Sequence, residues 1–283
     1  MRICIEVISL KGNIMAENKK IKVAVCGACG RMGQEVIKAV CNESDLELVA
    51  AIDVANVGKD IGEVVENKSK GVIIASDLEE ELVNKQADVV VDFTGPEYVF
   101  NNVQIALKSG VRPVIGTTGL SDGQIKEIEA LSKSKNLGTL IAPNFATGAV
   151  LMMMFAANAA KYFKNAEIIE LHHNKKKDAP SGTAIKTAQM MTKNQPEFGK
   201  DNVHETETYQ GSRGGVTESN IHIHSVRLPG FIAHQEVIFG APGQALTIRH
   251  DSFDRTSFMP GVVLAIRHVA ADSGFVYGLE NIL

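Results

Sequence analysis

The first half of the chain alternates short apolar runs with longer segments in which apolar residues recur at helical spacing. The apolar runs are rich in Val and Ile, and they fall at 21–26, 47–52, 72–75, 87–93, 111–115 and 139–142. Strands that alternate with helices in this way form parallel sheets. Unbroken runs such as Val89-Val90-Val91 are typical of strands that helices cover on both faces. We therefore predict an α/β fold with a doubly wound parallel sheet.

The pattern changes near residue 145. A helix rich in Ala and Met is predicted at 147–163, followed by a strand, a loop, a second helix and long strands at 221–227, 233–239 and 245–250. Turn signals, of which Ala241-Pro242-Gly243-Gln244 is the strongest, favour antiparallel or mixed pairing there. We therefore predict a second, α+β domain with a mixed or antiparallel sheet, and a final amphipathic helix from Pro260 to about 271.

Composition narrows the class of protein. A chain of 283 residues exceeds the usual size of one core, so two domains are expected. The net charge of -4 gives no basic field for nucleic acid, and no apolar run is long enough to cross a bilayer. All four cysteines lie in the first 41 residues, which would leave most of the chain without disulfides. We predict a soluble cytoplasmic protein with no nucleic-acid or membrane partner.

The first twenty residues resemble no targeting signal. Their apolar stretch at 3–10 is interrupted by Glu6 and has no small-residue cleavage pattern behind it. Met15 precedes a polar segment and then the first strand, so it is a plausible start of the protein. We interpret residues 1–19 as an N-terminal appendage.

A glycine-rich sequence joins the first predicted strand to the first predicted helix. Gly27, Gly30 and Gly33 are spaced three residues apart, so the backbone can approach a pyrophosphate closely at the helix start. The spacing differs from the usual G-x-G-x-x-G because Cys29 occupies the second glycine position. Asp53 ends the next strand, where a carboxylate can accept hydrogen bonds from ribose hydroxyls. The combination predicts a Rossmann-like dinucleotide site.

Two features bear on which dinucleotide binds there. Asp53 would repel the additional phosphate of NADP, and Val54 beside it offers no positive charge, so NAD is favoured weakly. Arg31 or Lys59 could still approach a 2′-phosphate, and use of both NAD(H) and NADP(H) stays open.

Other interpretations of this loop are a glycine turn that binds no nucleotide, and a redox or zinc pair at Cys26-x-x-Cys29. The neighbouring Asp53 argues against the first. The second lacks a second cysteine pair, and both sulfurs lie inside the phosphate loop.

A second cluster of reactive side chains lies in the other domain, at 170–184. It contains His172 and His173, three consecutive lysines at 175–177, and a helix start after Pro180. Imidazole and ammonium groups can donate protons, and backbone N–H groups at a helix start can hold a carboxylate. The two histidines are adjacent on a strand end, so their side chains diverge and two different roles are expected.

Two other interpretations apply to this cluster. The lysines could form a solvated loop and one histidine could be structural. The second interpretation is a zinc site, because His222-x-His224 projects two imidazoles to one face of a strand. No HExxH motif or Cys/His cluster supports zinc, so we predict no metal.

Several motifs in order along the chain resemble the 4-hydroxy-tetrahydrodipicolinate reductase family. They are Gly27-Ala28-Cys29-Gly30-Arg31-Met32-Gly33, Gly116-Thr117-Thr118-Gly119, Ala142-Pro143-Asn144-Phe145, and the segment from Glu170 to Ala184 with His172-His173, Lys176 and Asp178-Ala179-Pro180-Ser181-Gly182-Thr183. The resemblance continues through 223–227 and 250–255, so it covers nearly everything after Lys20.

The resemblance implies an NAD(P)H-dependent oxidoreductase of lysine and diaminopimelate biosynthesis, acting on a cyclic dicarboxylate, and a homotetramer joined through the second-domain sheets. It implies His172 and Lys176 as catalytic proton donors, although Lys175 and Lys177 flank Lys176 and leave that assignment open. Substrate carboxylates would be bound by His173, Ser181, Gly182 and Thr183. The dinucleotide would be lined by Gly27, Ala28, Cys29, Gly30, Arg31, Met32, Asp53, Gly116, Thr117, Thr118, Ala142, Pro143, Asn144 and Phe145.

With these roles the chain divides into four parts. We predict a dinucleotide-binding domain at 20–145, a substrate-binding and oligomerisation domain at 146–255, and a C-terminal helix at 256–283 that returns to the first domain, after the appendage at 1–19. A hinge is hypothesised at 144–148, where the domains meet. The alternative functions are an aspartate-dehydrogenase-like oxidoreductase, which would not need the His-His-Lys segment, and a non-catalytic dinucleotide sensor.

Overall fold

The structure, a computed structural model, describes residues 19–199, 203 and 206–283. The N-terminal appendage predicted at 1–19, with Cys4 and the choice of start between Met1 and Met15, therefore lies outside the described residues except for Lys19.

Seven parallel strands form the first sheet, in the order β12-β6-β5-β4-β1-β2-β3. These strands are β1 (Ile21–Cys26), β2 (Leu46–Ile52), β3 (Ile74–Ala75), β4 (Val89–Asp92), β5 (Arg112–Ile115), β6 (Thr139–Ile141) and β12 (Phe275–Tyr277). The order runs outward in both directions from β1 and β4, as in a doubly wound sheet. The predicted α/β class is confirmed.

Helices cover both faces of this sheet. They are α1 (Arg31–Asn42), α2 (Ile61–Val65), α3 (Leu78–Lys85), α4 (Pro96–Lys108), α5 (Asp122–Lys135) and α8 (Met259–Ala271). Successive strand residues point to opposite faces, so Val23 and Val25 of β1 pack in one core with α1 and α8. Ala24 and Cys26 pack in another core with α3 and α4. Burial on both faces explains why these strands read as unbroken apolar runs.

The second sheet contains five strands in the order β11-β10-β7-β9-β8. They are β7 (Asn165–His172), β8 (Gly215–Val216), β9 (His222–Arg227), β10 (Ala233–Ala241) and β11 (Gln244–Ser252). β7 pairs with β9 in parallel and the other pairs are antiparallel, so the sheet is mixed, as predicted. Its core includes Ile168, Val237 and Phe239, which pack with α6 (Thr147–Ala159) and α7 (Gly182–Thr192).

The C-terminal segment lies on the first sheet although it follows the second domain in sequence. Helix α8 packs against β5 and α1, and β12 then pairs with β6. Two 3₁₀ turns, at Arg255–Phe258 and Leu279–Asn281, flank this segment. The chain therefore crosses between the domains twice, before α6 and before α8.

Several elements differ from the pattern-based prediction, and three of them are instructive. Strand β3 has two residues, where 72–75 was expected, and α6 ends at Ala159, not 163. After Ala159 the chain forms a turn in which Tyr162 N donates to Ala159 O before β7 begins. Strand β12 was not predicted, because three residues are too few to show a period. No helix in the described part of the chain is long and apolar enough to span a membrane.

Candidate active site

The glycine-rich loop forms a tight turn between β1 and α1. Gly27 has a φ of +76°, and a Cβ there would lie 2.6 Å from the carbonyl oxygen of Phe93. Helix α1 begins at Arg31 after Gly30, which provides no side-chain cap, so N–H groups of the first turn stay open to a phosphate. This backbone fits a dinucleotide pyrophosphate because the glycine lets the loop pack closely on the end of β4 while the N–H groups at the start of α1 stay uncapped.

Asp53 lies directly beneath that loop. Its Oδ2 accepts a hydrogen bond from Cys29 N at 2.9 Å, and its Oδ1 accepts one from Ala55 N at 2.9 Å. Lys59 Nζ donates to Asn56 Oδ1 at 3.2 Å on the neighbouring turn. The carboxylate is therefore fixed beneath the glycine loop, with the Lys59 ammonium on the neighbouring turn.

A cavity of about 410 Å³ follows the carboxyl ends of the strands beside this loop. Its lining includes Gly27, Gly30 and Asp53 of the predicted set, and also Phe93, Thr94, Gly95, Tyr98 and Asn102. The second group was missed from the sequence. The sequence feature that could have identified these residues is the turn Thr94-Gly95-Pro96, which follows strand β4 at the same sheet edge as the glycine loop.

Asp92 ties the two loops on that edge together. Its buried carboxylate accepts hydrogen bonds from Thr94 N, the Thr94 hydroxyl, Asn102 Nδ2 and the Thr117 hydroxyl, at 2.6 to 3.0 Å. Gly116 lies against the Phe93 ring, with a hypothetical Cβ only 2.1 Å from it. The Gly116-Thr117-Thr118 segment is thereby held against the β4 turn whose residues Phe93 and Thr94 line the cavity.

Not all predicted cofactor residues present side chains to a cavity. Ala28, Ala142 and Phe145 are buried in the core, and Phe145 packs against Phe93 with ring centroids 5.8 Å apart. Cys29 and Arg31 lie at the glycine loop, partly exposed and exposed, and Met32 packs against the core. Thr118, Pro143 and Asn144 instead line the cleft between the domains.

That cleft has a volume of about 690 Å³ and is lined from both domains. The second domain contributes His172, Lys176, Asp178, Ser181, Gly182, Thr183, Lys186 and Gln189, and the first domain side contributes Thr118, Pro143, Asn144, Tyr277, Gly278 and Glu280. Asn144 Nδ2 reaches Thr183 Oγ1 at 3.3 Å across the cleft. The structure therefore brings the predicted acid, the lysine and the helix start together with two of the predicted cofactor segments.

His172 ends β7 and is held from behind by a buried carboxylate. Its Nδ1 lies 2.5 Å from Glu170 Oε2, and Glu170 forms a bidentate pair with Arg227 at 2.7 and 2.8 Å. Burial alone would raise the pKa of the Glu170 carboxyl, but hydrogen bonds from His172 and Arg227 outweigh it and lower that pKa to about 2. Glu170 is therefore ionised beside the imidazole.

Lys176 lies in the loop after β7, and its ammonium is paired with Asp178 at 2.8 and 2.9 Å. The hydrogen bond from Lys176 lowers the pKa of the Asp178 carboxyl. His173 points elsewhere, as its position next to His172 predicts: it is exposed, outside the cleft lining, and its Nδ1 accepts from Lys175 N at 3.2 Å. A carboxylate-binding role for His173 would need the loop to move.

The start of α7 forms the floor of the cleft. Ser181 is the N-cap: its hydroxyl accepts from Ala184 N at 3.2 Å, and its own N–H donates to Glu170 Oε1 at 3.2 Å. Gly182 and Thr183 line the cleft, and N–H groups in the first turn of a helix lack intrahelical acceptors, so they are available to hold a carboxylate.

Two further findings concern this site. Lys186 Nζ lies 3.6 Å from Glu280 Oε1 across the cleft, a pair that the sequence did not reveal because its members are 94 residues apart. Among the described residues no group of three or more His, Cys, Asp or Glu side chains could hold a metal ion.

A dinucleotide cradle on a doubly wound sheet, facing a second domain with an imidazole, an ammonium and an anion-binding helix start, defines a two-domain NAD(P)-dependent oxidoreductase. Sequence comparison then specifies the family. A family model described as "Dihydrodipicolinate reductase, N-terminus" matches residues 21–145, and one described as "Dihydrodipicolinate reductase, C-terminus" matches residues 148–283. The chain belongs to the dihydrodipicolinate reductase family, as its motifs predict.

Individual relatives agree with this assignment. The chain is 54% identical over 265 residues to a 4-hydroxy-tetrahydrodipicolinate reductase of Syntrophomonas wolfei, covering 94% of this chain and 99% of the relative. It resembles the structure of a dipicolinate-bound dihydrodipicolinate reductase from Paenisporosarcina sp. TG-14, with a TM-score of 0.85 and 48% identity over 93% of this chain and all of that chain. An amine dehydrogenase from Mycobacterium smegmatis shares the fold alone, with a TM-score of 0.63 and 16% identity over 89% of this chain and 92% of that chain.

Proposed function

We propose that this protein reduces 4-hydroxy-tetrahydrodipicolinate to tetrahydrodipicolinate and water, using NADH or NADPH, in lysine and diaminopimelate biosynthesis. The observation that carries the proposal is the single cleft in which His172, the Gly182-Thr183 helix start and the Pro143-Asn144 loop meet. A cyclic dicarboxylate needs an acid, anion-binding donors and a neighbouring dinucleotide, and this cleft offers all of them. Family membership supplies the substrate class.

The chain's own residues would act on protons and carboxylates. Loss of the C4 hydroxyl as water converts the substrate to a conjugated imine, and the nicotinamide, when bound, would supply a hydride to C4 of that imine. The ring carbon that is then left as an enamine needs a proton, and His172, whose imidazole can donate one, lies in the cleft beside the Glu170 carboxylate. His172 is therefore the proton donor in this proposal.

Lys176 and the α7 start would bind the substrate's two carboxylates. The Lys176 ammonium would exchange Asp178 for substrate, since a carboxylate arriving in the cleft offers the same charge. Ser181, Gly182 and Thr183 provide the helix start, where N–H groups and the helix dipole favour an anion. His173 joins this set once the loop at 173–178 closes on the substrate.

The test is oxidation of NADH and NADPH, measured in parallel, by purified protein given fresh product of dihydrodipicolinate synthase made from pyruvate and aspartate semialdehyde. Oxidation that requires the synthase supports the proposal. Binding of either cofactor without oxidation would favour the sensor, and oxidation with oxaloacetate and ammonia in its place would favour an aspartate-dehydrogenase-like enzyme.

His172→Ala tests the proton donor. We expect kcat to fall about a hundredfold or more, because general acids contribute at least that much, while NADH affinity stays nearly unchanged. His173→Ala provides a matched control on the adjacent residue, and it should raise KM more than it lowers kcat. Wild-type kcat in His172→Ala would contradict the assignment.

We infer a weak preference for NADH. The fixed Asp53 carboxylate supports it, while Lys59 on the next turn supports residual use of NADPH. Lys59→Ala should lower kcat/KM for NADPH about tenfold and leave the NADH value unchanged, because one phosphate contact is lost. Equal losses with both cofactors would exclude a contact with the 2′-phosphate.

The assembly proposed is a cytoplasmic homotetramer joined through the second sheets. Strand β11 supports it, since it is a nine-residue edge strand with exposed residues, Leu246 among them, and edge strands of this length are usually covered. Light scattering on the purified protein should give four chain masses, and a monomer mass would contradict the tetramer.

A further inference from the structure

Glu170 is the carboxylate nearest to the proposed proton donor, and it is completely buried. Each of its oxygens accepts two hydrogen bonds. Oε2 accepts from His172 Nδ1 at 2.5 Å and from Arg227 Nη1 at 2.8 Å, and Oε1 accepts from Arg227 Nη2 at 2.7 Å and from Ser181 N at 3.2 Å. A buried charge persists only when it is paired and hydrogen-bonded in this way.

The strand register explains how these groups meet. Residues 170 and 172 are two apart on β7, so they point to the same face of the sheet. β9 runs parallel beside it and places Arg227 opposite His172. The contact therefore joins two neighbouring strands of the second sheet and does not depend on the position of a loop.

We propose that Glu170 is a positioning residue for the proton transfer: its carboxylate fixes the His172 ring with a proton on Nδ1, leaves Nε2 to donate to the substrate, and stabilises the imidazolium. An ionised carboxylate can only accept, so the nitrogen that faces it must carry a proton. On transfer the Nε2–H bond breaks, the new C–H bond forms on the substrate, and the electron pair stays on Nε2. The Nδ1 proton stays in place throughout.

Arg227 sets the strength of this effect. Its guanidinium shares the Glu170 carboxylate with His172, so it reduces the negative potential that the imidazole experiences. Arg227 Nη2 also donates to Asp178 O at 2.8 Å, which ties the loop that carries Lys176 to the same carboxylate. Glu170 thus orients the acid, the lysine loop and, through Ser181, the helix start.

Other charged groups also face His172. The two cavities that meet at its ring are lined by Lys176, Asp178, Lys186, Glu280, His234 and His250. None of these six side chains forms a hydrogen bond with the His172 ring, whereas Glu170 does. Substitution of Glu170 should therefore change the pH profile more than substitution of any of them.

The kinetic test of this inference rests on the proposed function, because it needs a measurable kcat. An imidazolium acid loses activity as pH rises, and a neighbouring carboxylate extends its activity to higher pH. Glu170→Gln should therefore lower kcat at least about thirtyfold and move the alkaline limb of the pH profile of kcat to lower pH. Arg227→Met should move the same limb to higher pH, because the carboxylate is then shared with fewer donors.

These opposite shifts separate positioning from a role in folding alone. A structural defect would lower activity in both variants without moving the limb in opposite directions. Glu167→Gln is the matched control: it lies on the same strand but on the other face, bonded to Arg213 and His224, and it should leave the profile unchanged. If Glu170→Gln fails to fold because its amide faces Arg227, the Arg227→Met shift still decides the question.

A second measurement does not depend on enzymatic activity. Nitrogen chemical shifts of labelled histidine in the wild-type protein, assigned with a His172→Asn variant, should show the neutral ring protonated on Nδ1. A ring protonated on Nε2, or a pH profile unchanged in Glu170→Gln, would overturn the proposal. Should the wild type oxidise no cofactor, the proposed function fails, while the ring tautomer still tests the contact itself.

Discussion

Asp92 shows how one buried side chain can organise a cofactor site without facing the cofactor. It lies at the end of β4, 2% exposed, and its carboxylate accepts from Thr94, Asn102 and Thr117. Thr94 and Asn102 line the dinucleotide cavity, and Thr117 belongs to the next loop along the sheet edge. Loss of the carboxylate would therefore release two loops at once.

We predict that Asp92→Ala lowers the free energy of unfolding by about 3 kcal/mol, because buried donors on Thr117 and Asn102 lose their acceptor. NADH affinity should fall as well, since Thr94 and Asn102 line its proposed cavity. Urea unfolding and NADH fluorescence measure the two effects. Glu81→Ala, at a partly exposed position in α3, should change neither, and an Asp92→Ala protein of wild-type stability would contradict the argument.

Single functional residues could be predicted where they belong to a local sequence motif. They could not be predicted where their role comes only from a partner far away in the sequence. His172, Lys176 and Asp53 follow from local sequence, and the structure places all three at cavities. Glu170 was part of the quoted motif but received no role, although its spacing from His172 puts both on one strand face. Asp92, Arg227 and Glu280 gave no local signal, because their partners come from other elements.

At the scale of elements, the junction between the glycine loop and α1 depends on a close backbone approach. A Cβ on Gly33 would lie 2.0 Å from the carbonyl oxygen of Gly27, which cannot move away without opening the phosphate turn. Gly33→Ala should therefore lower the free energy of unfolding by about 2 kcal/mol and weaken NADH binding. Thermal unfolding and NADH titration test both effects.

Gly123 in α5 provides the matched control for that substitution. A Cβ there meets nothing closer than 3.9 Å, and the helix continues through the position. Gly123→Ala should therefore raise the free energy of unfolding by about 0.5 kcal/mol, since alanine restricts the unfolded chain more than glycine does. Equal effects at Gly33 and Gly123 would show that backbone entropy, not the contact with Gly27, is responsible.

The segment from α2 to β3 depends on one carboxylate. Asp60 accepts from Lys70 N, the Ser69 hydroxyl, Gly62 N and Gly71 N, and these bonds, that from Lys70 first, lower its pKa to about 2. Because this pKa lies below the value of about 3.9 in unfolded chains, the stabilisation is complete above about pH 4 and is lost as pH falls towards 2.

Asp60→Asn should therefore reduce the dependence of stability on pH in the acid range. Urea unfolding between about pH 6 and about pH 3 should show a smaller slope below pH 4 in the variant than in the wild type. A residual slope should remain, because Glu170 also has a lowered pKa of about 2 and contributes in the same range. Identical slopes would exclude Asp60 as a source of acid sensitivity.

The element predictions succeeded where burial imposes a period and were incomplete where pairing alone defines a strand. β1, whose residues 23–26 are fully buried, was predicted with its observed ends, Ile21 and Cys26. β3 and β12 contain two and three residues, and they exist because β2 and β6 offer free edges. The parallel pairing of β7 with β9 could not be predicted from the sequence either, because the alternation of apolar and polar residues along a strand does not reveal the direction of the neighbouring strand.

At the scale of the whole molecule, the site exists only because the chain crosses between the domains twice. The second crossing returns α8 and β12 to the first sheet and places Tyr277, Gly278 and Glu280 on the cleft. The cleft is thus bordered by residues more than a hundred positions apart in sequence. Contacts across it, Asn144 with Thr183 and Lys186 with Glu280, join the two domains around the proposed substrate.

The Lys186–Glu280 pair leads to a prediction about closure of the cleft. The two side chains are 42% and 19% exposed, and an ion pair of that exposure contributes at most about 1 kcal/mol. If the pair holds the domains together over substrate, Glu280→Gln and Lys186→Met should each raise KM by about two- to fivefold and leave kcat and thermal stability unchanged. The ratio of variant to wild-type KM should approach one at high salt, because screening weakens the wild-type pair.

The same two variants distinguish closure from direct binding of substrate by Lys186. A lysine that binds a substrate carboxylate competes with Glu280 for that task, so Glu280→Gln would then lower KM while Lys186→Met raised it more than about tenfold. Matching effects of the two variants support a contact between domains, and opposite effects assign Lys186 to the substrate. The sign of the Glu280→Gln effect on KM decides between them, because only a direct substrate contact makes the loss of that carboxylate favourable.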